Sequence, residues 1–149
     1  MIEDVILTCK KEGSFILHSG EKSSYLFDVM KLIGNKDFHH EYSYFIDDEF
    51  LVGIEFGGAI LAAIGSRYNT YKLYGDIYTD NQFGIVRKDG TLYGYIPDDY
   101  TLIDDVVTTE NSIFNAIKQI GKKPTKIKTI VDRRKIKTLD IESMLIWEE

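Results

Sequence analysis

Cysteine and proline are scarce in this sequence, and no apolar run is long enough to cross a membrane. Cys9 is the only cysteine among 149 residues, which excludes an internal disulfide and is typical of a reducing compartment. The longest apolar stretch, residues 59–64, is far shorter than the roughly 20 residues of a transmembrane helix. Residues 1–13 lack a basic start followed by an apolar segment, so we expect no signal peptide. These absences predict a cytoplasmic protein.

An excess of positive charge is also missing. The formal net charge is −6, whereas proteins that bind nucleic acid or membrane surfaces generally carry a basic excess. We therefore expect neither nucleic acid nor a membrane as a partner. The positive charge is nevertheless uneven, and one stretch contains Lys118, Lys122, Lys123, Lys126, Lys128, Arg133, Arg134, Lys135 and Lys137.

The hydrophobic pattern predicts a single α/β domain over residues 1–149. From residue 51 onward short apolar strands alternate with helices, which is typical of βαβ units and a mainly parallel sheet covered on both faces. We predict strands at 51–55, 71–74, 83–87, 100–103, 127–131 and 144–147, and helices at 59–68 and 112–120. Before this core (about 48–149), we predict an N-terminal unit (about 1–35) with a helix at 2–10 and strands at 15–17 and 25–29, followed by a helix at 37–46.

Ligands of such sheets bind beyond the carboxyl ends of the strands, and the most informative loop there follows residue 103. Asp104 and Asp105 form an acid pair that can accept hydrogen bonds from two ribose hydroxyls. Thr108, Thr109 and Ser112, with the amides of a helix start, form a cradle for a phosphate. The alternative is that the acids merely end a strand and that a residue near 109–111 caps the helix.

Residues 102–112 resemble the phosphoribosyl-pyrophosphate signature of type I phosphoribosyltransferases. The match holds at the two acids and three hydroxyl residues, while Glu110 and Asn111 stand where small residues, often glycine, are usual. The resemblance implies that the whole loop binds this substrate, through Asp104, Asp105, Val106, Val107, Thr108, Thr109, Glu110, Asn111 and Ser112.

Residues 13–28 are similar to the N-terminal segment of orotate phosphoribosyltransferases, which forms a hood over the base. The resemblance implies that Phe27 covers the base, that Thr108 contributes to the base site and that His18 occupies the position of a lysine that reaches the ligands. Core packing of a hairpin is the alternative explanation for the aromatic residues.

Residues 52–59 resemble the family loop that receives pyrophosphate, which implies binding roles for Glu55, Phe56, Gly57 and Gly58. Glycines there let the backbone approach an anion, although tight strand-to-helix packing explains them equally well. After the strand at 127–131, Arg133 matches an arginine that pairs with the carboxylate of orotate, with Arg134 as an alternative that is merely a surface charge.

The fifth similarity concerns the mobile loop that closes over pyrophosphate in this family, often across a dimer. Arg87 and Lys88 match its first two residues, and the resemblance assigns them catalytic roles together with Asp104 and Asp105. The loop is short, and Thr91 and Tyr93 stand near the positions of an inner lysine and histidine.

The resemblance covers about residues 13–134 and implies a type I phosphoribosyltransferase fold, a mainly parallel twisted sheet flanked by helices with a small N-terminal hood. The implied reaction transfers ribose 5-phosphate from phosphoribosyl pyrophosphate to orotate, giving orotidine 5′-monophosphate and pyrophosphate in pyrimidine biosynthesis. Mg²⁺ is the implied cofactor, held mainly by substrate and water rather than by a protein metal site. A homodimer is also implied.

Two alternatives remain open at this point. One is a phosphoribosyltransferase for another base, and the other is a non-catalytic, nucleotide-binding regulator that uses the basic stretch 118–137 to contact RNA. A conventional dinucleotide-binding domain lacks support, because no Gly-x-Gly-x-x-Gly follows the first strand of the predicted core.

Overall fold

The computed structural model describes residues 1–47, 49–74 and 82–148, and within them the strands form a six-stranded sheet and a separate hairpin. The large sheet has the order β5-β4-β3-β6-β7-β8, with parallel pairing from β4 through to β8 and β5 antiparallel at the edge. Its strands are β3 (Leu51–Ile54), β4 (Gly84–Val86), β5 (Leu92–Gly94), β6 (Thr101–Val107), β7 (Lys126–Asp132) and β8 (Glu142–Ile146). The carboxyl ends of the parallel strands therefore share one edge of the sheet.

The bounds of two helices are explained by capping residues. They are α1 (Ile2–Leu7), α2 (Lys36–Phe45), α3 (Gly57–Tyr74) and α4 (Asn111–Ile120), with a 3₁₀ turn at Val29–Leu32. The Asn35 side chain caps α2 by accepting hydrogen bonds from the amides of Asp37 and Phe38, at 2.9 and 3.0 Å. Helix α4 ends at Gly121, whose φ of 79° is the left-handed conformation that glycine adopts readily.

The N-terminal hairpin consists of β1 (Lys10–Ile16) and β2 (Lys22–Phe27), paired antiparallel. Tyr25 and Phe27 of β2 are buried with Phe38 and Tyr42 of α2, so the hairpin shares the main core rather than standing apart from it. This packing places one face of β2 beside the edge of the sheet where the candidate site lies.

Apolar side chains cover both faces of the large sheet. Leu102 belongs to one core cluster and its neighbour Ile103 to the other, because successive strand residues point to opposite faces. Both are fully buried, which explains the continuous apolar run of β6. The predicted α/β architecture with a mainly parallel sheet is confirmed.

One predicted strand is wrong and several bounds differ, notably those of the strand predicted at 100–103, which extends to Val107 and so includes Asp104 and Asp105. Residues 71–74 lie in α3 and not in a strand, because no glycine or proline interrupts the helix between Arg67 and Tyr74 and the strand preference of tyrosine is only a weak prior. The first helix ends at Leu7 instead of residue 10, because Lys10 pairs with Phe27 to begin β1. Over the described ranges, no helix combines the length and apolarity that a membrane span requires.

Candidate active site

Asp104 and Asp105 are neighbours in the second half of β6, near the carboxyl edge of the sheet. Asp104 is buried, with 7% of its surface exposed, and its Oδ1 accepts a hydrogen bond from the amide of Asp105 at 2.9 Å. Burial, followed by the negative charge of Asp105, raises the pKa of Asp104 well above its usual range, and a hydrogen bond with Ser112 only partly opposes this rise. The pair therefore combines one carboxyl group that binds a proton readily with a second, more exposed one.

Glycines at the start of α3 allow the helix to pack directly against these acids. A Cβ atom on Gly57 would lie 2.2 Å from Oδ2 of Asp105, and one on Gly58 would lie 2.4 Å from the carbonyl oxygen of Ile103. Gly53 of β3 is equally tight, since its Cβ would meet the oxygen of Gly58 at 2.0 Å. The close packing offered as the alternative explanation for Gly57 and Gly58 is therefore real, and it also brings the amide end of α3 beside the acid pair.

Residues 108–112, here called the phosphate loop, connect β6 to the N-terminus of α4. Thr108 and Thr109 are half-buried, and Asn111 and Ser112 are exposed in the first turn of the helix. Glu110 occupies the N-cap position without capping the helix through its side chain. The loop thus presents hydroxyl groups at the positive end of a helix, an arrangement that favours anions.

The Glu110 side chain turns away from the phosphate loop. Its carboxylate accepts hydrogen bonds from Nη1 of Arg134 at 2.6 Å and from the amides of Thr138 and Leu139 at 2.9 and 2.8 Å. Burial opposes the charged form, but the hydrogen bonds from Thr138, Leu139 and Arg134 outweigh it and hold the pKa of Glu110 at about 2. Glu110 therefore contributes backbone to the loop, while its charge is neutralised elsewhere.

Arg134 is not the surface charge that we offered as an alternative role. It is 6% exposed and forms two hydrogen bonds with Asp132, from Nε to Oδ1 at 2.9 Å and from Nη2 to Oδ2 at 2.7 Å. A buried guanidinium requires carboxylate partners, and Arg134 finds them in Asp132 and in Glu110, which is 24 positions earlier in the chain.

A cavity of about 180 Å³ lies between the hood, the phosphate loop and the end of β7. It is lined by Leu17, Glu21, Lys22, Ser23, Ser24, Tyr25, Thr108, Arg133 and Lys135. The guanidinium of Arg133 lies 4.1 Å from the centre of the Tyr25 ring, and its Nη2 donates to Oγ of Ser23 at 3.1 Å. We call this space the base cavity because its volume, below the roughly 300–1,000 Å³ of drug-sized pockets, suits a ligand of one ring.

Phe27 lies behind the base cavity and does not line it. Its side chain is 3% exposed and packs edge-on against Tyr25 and Trp147, with ring centres 5.9 and 5.6 Å apart. The aromatic residue that borders the cavity is Tyr25, two positions earlier on the same face of β2. The alternation of β2 shows that residues 25 and 27 share one face, so both rings were candidates for the cavity wall. Which of them borders the cavity depends on the position of β2 along the cavity, and local spacing does not give that position.

The loop after β3 meets the β4–β5 hairpin through an exposed group of charges. Nε of Arg87 lies 2.9 Å from Oε2 of Glu55, and the amide of Lys88 donates to Oε1 of the same residue at 3.3 Å. Nζ of Lys88 also lies 3.3 Å from Nδ1 of His18 in the hood. A hydrogen bond with Tyr93, and then one with Glu55, raise the pKa of Arg87.

The structure thus brings Glu55, Arg87, Lys88 and His18 into one group, which we call the cationic rim. Phe56 stands beside it with 65% of its surface exposed. The hairpin itself turns at Gly90, whose φ is 90°, and a Cβ there would lie 2.6 Å from Oε1 of Gln119 in α4. Sequence reasoning did not assign the cavity residues Lys22 and Lys135 to the site.

Similar proteins were sought by sequence and by structure. No family model matches the sequence. The orotate phosphoribosyltransferase of Methanocaldococcus jannaschii is 29% identical over an alignment 143 residues long that covers 84% of this chain and 76% of that protein.

Solved structures share the same architecture over nearly the whole chain. The orotate phosphoribosyltransferase of Aeropyrum pernix superposes with a TM-score of 0.69 at 18% identity, covering 98% of this chain and 94% of that one. That of Mycobacterium tuberculosis H37Rv, in complex with 5-phospho-α-D-ribosyl 1-diphosphate, gives 0.64 at 16% identity, covering 96% and 92%. The resemblance to the orotate phosphoribosyltransferase family is therefore confirmed, and the fold of this chain is that of the type I phosphoribosyltransferases.

Proposed function

We propose that this protein is a pentosyltransferase that moves ribose 5-phosphate from phosphoribosyl pyrophosphate to orotate, giving orotidine 5′-monophosphate and pyrophosphate. One observation carries the proposal: the acid pair Asp104–Asp105 lies in the second half of β6, and the loop that follows the strand leads to the N-terminus of α4 at Asn111. The relative from Methanocaldococcus jannaschii supports the choice of orotate, and the Mycobacterium complex supports the choice of donor.

The ribosyl phosphate is assigned to β6 and the phosphate loop. Asp104 and Asp105 accept hydrogen bonds from the two ring hydroxyls of ribose, and their negative charge favours the positive charge that develops on the sugar as pyrophosphate leaves. Thr108, Thr109 and Ser112 bind the 5′-phosphate together with the first amides of α4. The raised pKa of Asp104 suits a group that takes up a proton from the incoming base.

The base is assigned to the cavity beside this loop. Arg133 offers a planar fork that matches the carboxylate of orotate, and the stacked Tyr25 ring holds the guanidinium in place. Thr108 belongs to the phosphate loop and also lines the cavity. A base in the cavity therefore has its nitrogen close to the ribose carbon. Tyr25 replaces Phe27 as the aromatic wall of the site.

Pyrophosphate is assigned to residues 55–58 and the cationic rim. Arg87 and Lys88 offset the charge of the leaving group, and the exposed position of Arg87, at 40% of its side-chain surface, lets it exchange Glu55 for a phosphate oxygen. The residues fit a magnesium ion carried by the substrate, because Asp104 and Asp105 supply carboxylate oxygens, the ligands that Mg²⁺ prefers, next to the assigned ribose. Such an ion would neutralise further charge on pyrophosphate.

Transfer of ribose 5-phosphate to a base other than orotate is the second candidate function, and two observations favour it. His18 replaces the lysine typical of the family, and Lys135 adds a cation to the base cavity. The regulator that binds RNA is disfavoured, because several cations of residues 118–137 are paired with acids: Lys122 with Asp98, and Lys126 and Lys128 with Glu49.

We further propose a homodimer in the cytoplasm. Edge strand β5 supports the dimer, since Leu92 and Tyr93, with the following Tyr95, expose 41–58% of their surface. The purified protein is expected to convert orotate when it is mixed with phosphoribosyl pyrophosphate and Mg²⁺, as followed by the loss of orotate absorbance. A panel of uracil, adenine, hypoxanthine and nicotinate decides between orotate and another base, and turnover of one of these in place of orotate would overturn the assignment.

A further inference from the structure

Glu110 is a buried acid at a position where the phosphoribosyl-pyrophosphate signature usually has a small residue. The side-chain surface that remains exposed is 9% for Glu110, 3% for Arg134 and 2% for Asp132. Burying three charges is costly unless each is paired and hydrogen-bonded, so the arrangement requires an explanation beyond general stability.

The three side chains form a continuous bridge with a dense set of hydrogen bonds. The carboxylate of Glu110 accepts from Arg134, from the amides of Thr138 and Leu139, and from the Thr138 hydroxyl. Arg134 extends the bridge to Asp132 and also donates to the carbonyl oxygen of Leu139 at 2.8 Å. Glu110 and Arg134 are therefore each held by several different residues, and Asp132 is held by Arg134 through three hydrogen bonds.

The bridge joins the two substrate sub-sites. One end is Glu110 in the phosphate loop, and the other is the segment after β7, where Arg134 follows the base-cavity residue Arg133. A second link runs in parallel, because the amide of Arg133 donates to the carbonyl oxygen of Val107 at 2.9 Å, directly before Thr108. The phosphate loop and the segment that carries Arg133 are thus connected twice, by the ion pair of Glu110 with Arg134 and by this backbone hydrogen bond.

We propose that Glu110 is a positioning residue that sets the phosphate loop and Arg133 at the separation required by one nucleotide-sized ligand pair. This role rests on the proposed function and adds a residue that touches neither substrate. A rigid connection between sub-sites has a clear use, because a binding site that is already ordered in the free protein loses less free energy when the ligands bind.

The test uses Glu110→Ala and Glu110→Gln in the full chain. We expect Glu110→Ala to raise KM for phosphoribosyl pyrophosphate and for orotate together, each about tenfold, with kcat changed by less than about threefold, because the lost alignment weakens binding in the ground and transition states alike. Glu110→Gln keeps a hydrogen-bond acceptor for residues 138 and 139 and should recover part of the loss. A purely structural role would instead lower the active fraction and leave both KM values unchanged, which would overturn the proposal.

A matched control is available in another buried ion pair. Lys128, 3% exposed, pairs with Glu49 at 2.9 Å on the opposite edge of the sheet from the site. Glu49→Gln should lower the thermal midpoint without moving either KM. If Glu110→Ala does not fold, Thr138→Val removes only one hydrogen bond to Glu110 and should raise both KM values about twofold to threefold.

Binding of ribose 5-phosphate separates this proposal from the proposed function. If the wild-type protein fails to turn over orotate, the function is wrong, yet calorimetric titration of ribose 5-phosphate still tests whether Glu110 holds the phosphate loop in its binding geometry. Weaker binding by Glu110→Ala, about tenfold relative to wild type and to Glu49→Gln, supports the positioning role. Equal affinity in all three proteins contradicts it.

Discussion

The two sides of the candidate site are built in opposite ways. On the side of the phosphate loop and base cavity, charged groups are buried and paired, as in Arg134 with Asp132, where 3% and 2% of the side-chain surfaces are exposed. On the side of the cationic rim, Arg87 and Glu55 expose 40% and 28% and meet through a single short contact. The first side is preformed, whereas the second can exchange partners.

This difference matches the tasks that we assign to the two sides. Removing one partner of a buried ion pair typically costs about 3–5 kcal/mol, so the geometry around Asp132, Arg134 and Glu110 resists change. Exposed pairs contribute little and are screened by salt, so the rim can release Glu55 when pyrophosphate arrives. Recognition of ribosyl phosphate and base therefore rests on rigid elements, and charge neutralisation rests on an adaptable one.

Substitution of the acid pair should cause the largest loss of kcat/KM, because both acids lie at the centre of the preformed side of the site. Asp104→Asn combined with Asp105→Asn is expected to lower kcat/KM by at least about 10³-fold, through loss of both ribose contacts and of charge stabilisation. Steady-state assays with phosphoribosyl pyrophosphate and orotate measure this, with circular dichroism as a check on folding. Undiminished turnover would contradict the assignment of the acids.

Substitution of one of these acids, Asp104, is also expected to increase the free energy of unfolding. Because burial raises the pKa of Asp104 in the folded state, the folded protein holds that proton more tightly, and its stability falls as the pH rises above about 4, the ordinary value for aspartate. Asp104→Asn removes the penalty and should stabilise the protein at pH 7 by about 0.5–2 kcal/mol. Denaturant unfolding at pH 4 and pH 7 tests this, and a difference that does not widen with pH would argue against a penalty at Asp104.

Arg133 is expected to produce the next largest change. Arg133→Ala should raise KM for orotate about 10–100-fold, the range expected for loss of a charge-assisted pair with its carboxylate, and should leave KM for phosphoribosyl pyrophosphate within about threefold. Lys135→Ala, at the exposed rim of the same cavity, serves as the comparison and should change KM for orotate by less than about threefold. Equal effects of the two substitutions would remove Arg133 from its assigned role.

Substitutions in the cationic rim should have smaller effects that depend on salt. Arg87→Gln is expected to lower kcat about tenfold, because it removes one charge next to the leaving pyrophosphate. Lys122→Gln breaks a similarly exposed pair with Asp98 far from the site and should leave kcat unchanged. If the two variants behave alike, the rim does not serve catalysis.

The smallest effect is expected at the contact between the hood and the hairpin. Lys88→Ala and His18→Ala should each lower kcat/KM by about twofold to fivefold at low salt, with a smaller difference at 0.5 M NaCl, because exposed charges are screened. Steady-state assays at the two salt concentrations measure this. A loss that is equally large at both salt concentrations would contradict a role that acts through the charge of these side chains.

Much of the fold follows from local patterns. The apolar run of β6 and the helix that ends at Gly121 are visible in the sequence, because a strand buried on both faces and a glycine C-cap leave clear marks. The strand predicted at residues 71–74 is wrong because short tyrosine-rich segments suit both a strand and a helix, and the continuation of α3 decides between them.

The sequence predicted individual residues of the candidate site, but not which of them contact one another. The sequence predicted Asp104, Asp105 and Arg133 directly after neighbouring strands; Arg133 does follow β7, whereas the two acids lie inside β6, and the parallel pairing of these strands orders them toward one edge. It did not indicate that Tyr25 rather than Phe27 borders the base cavity, nor that Glu110 pairs with Arg134. Both depend on packing between segments far apart in the chain, about which local spacing says nothing.

The most direct test of the account is a binding measurement on the rigid side alone. Titration of ribose 5-phosphate into the protein, followed by NMR of backbone amides, should perturb the amides of residues 104–112 first and most strongly, and Asp104→Asn with Asp105→Asn should weaken the binding at least tenfold. Perturbations confined to other parts of the sheet edge, with equal affinity in the double variant, would show that the acid pair and the start of α4 are not a ribosyl phosphate site.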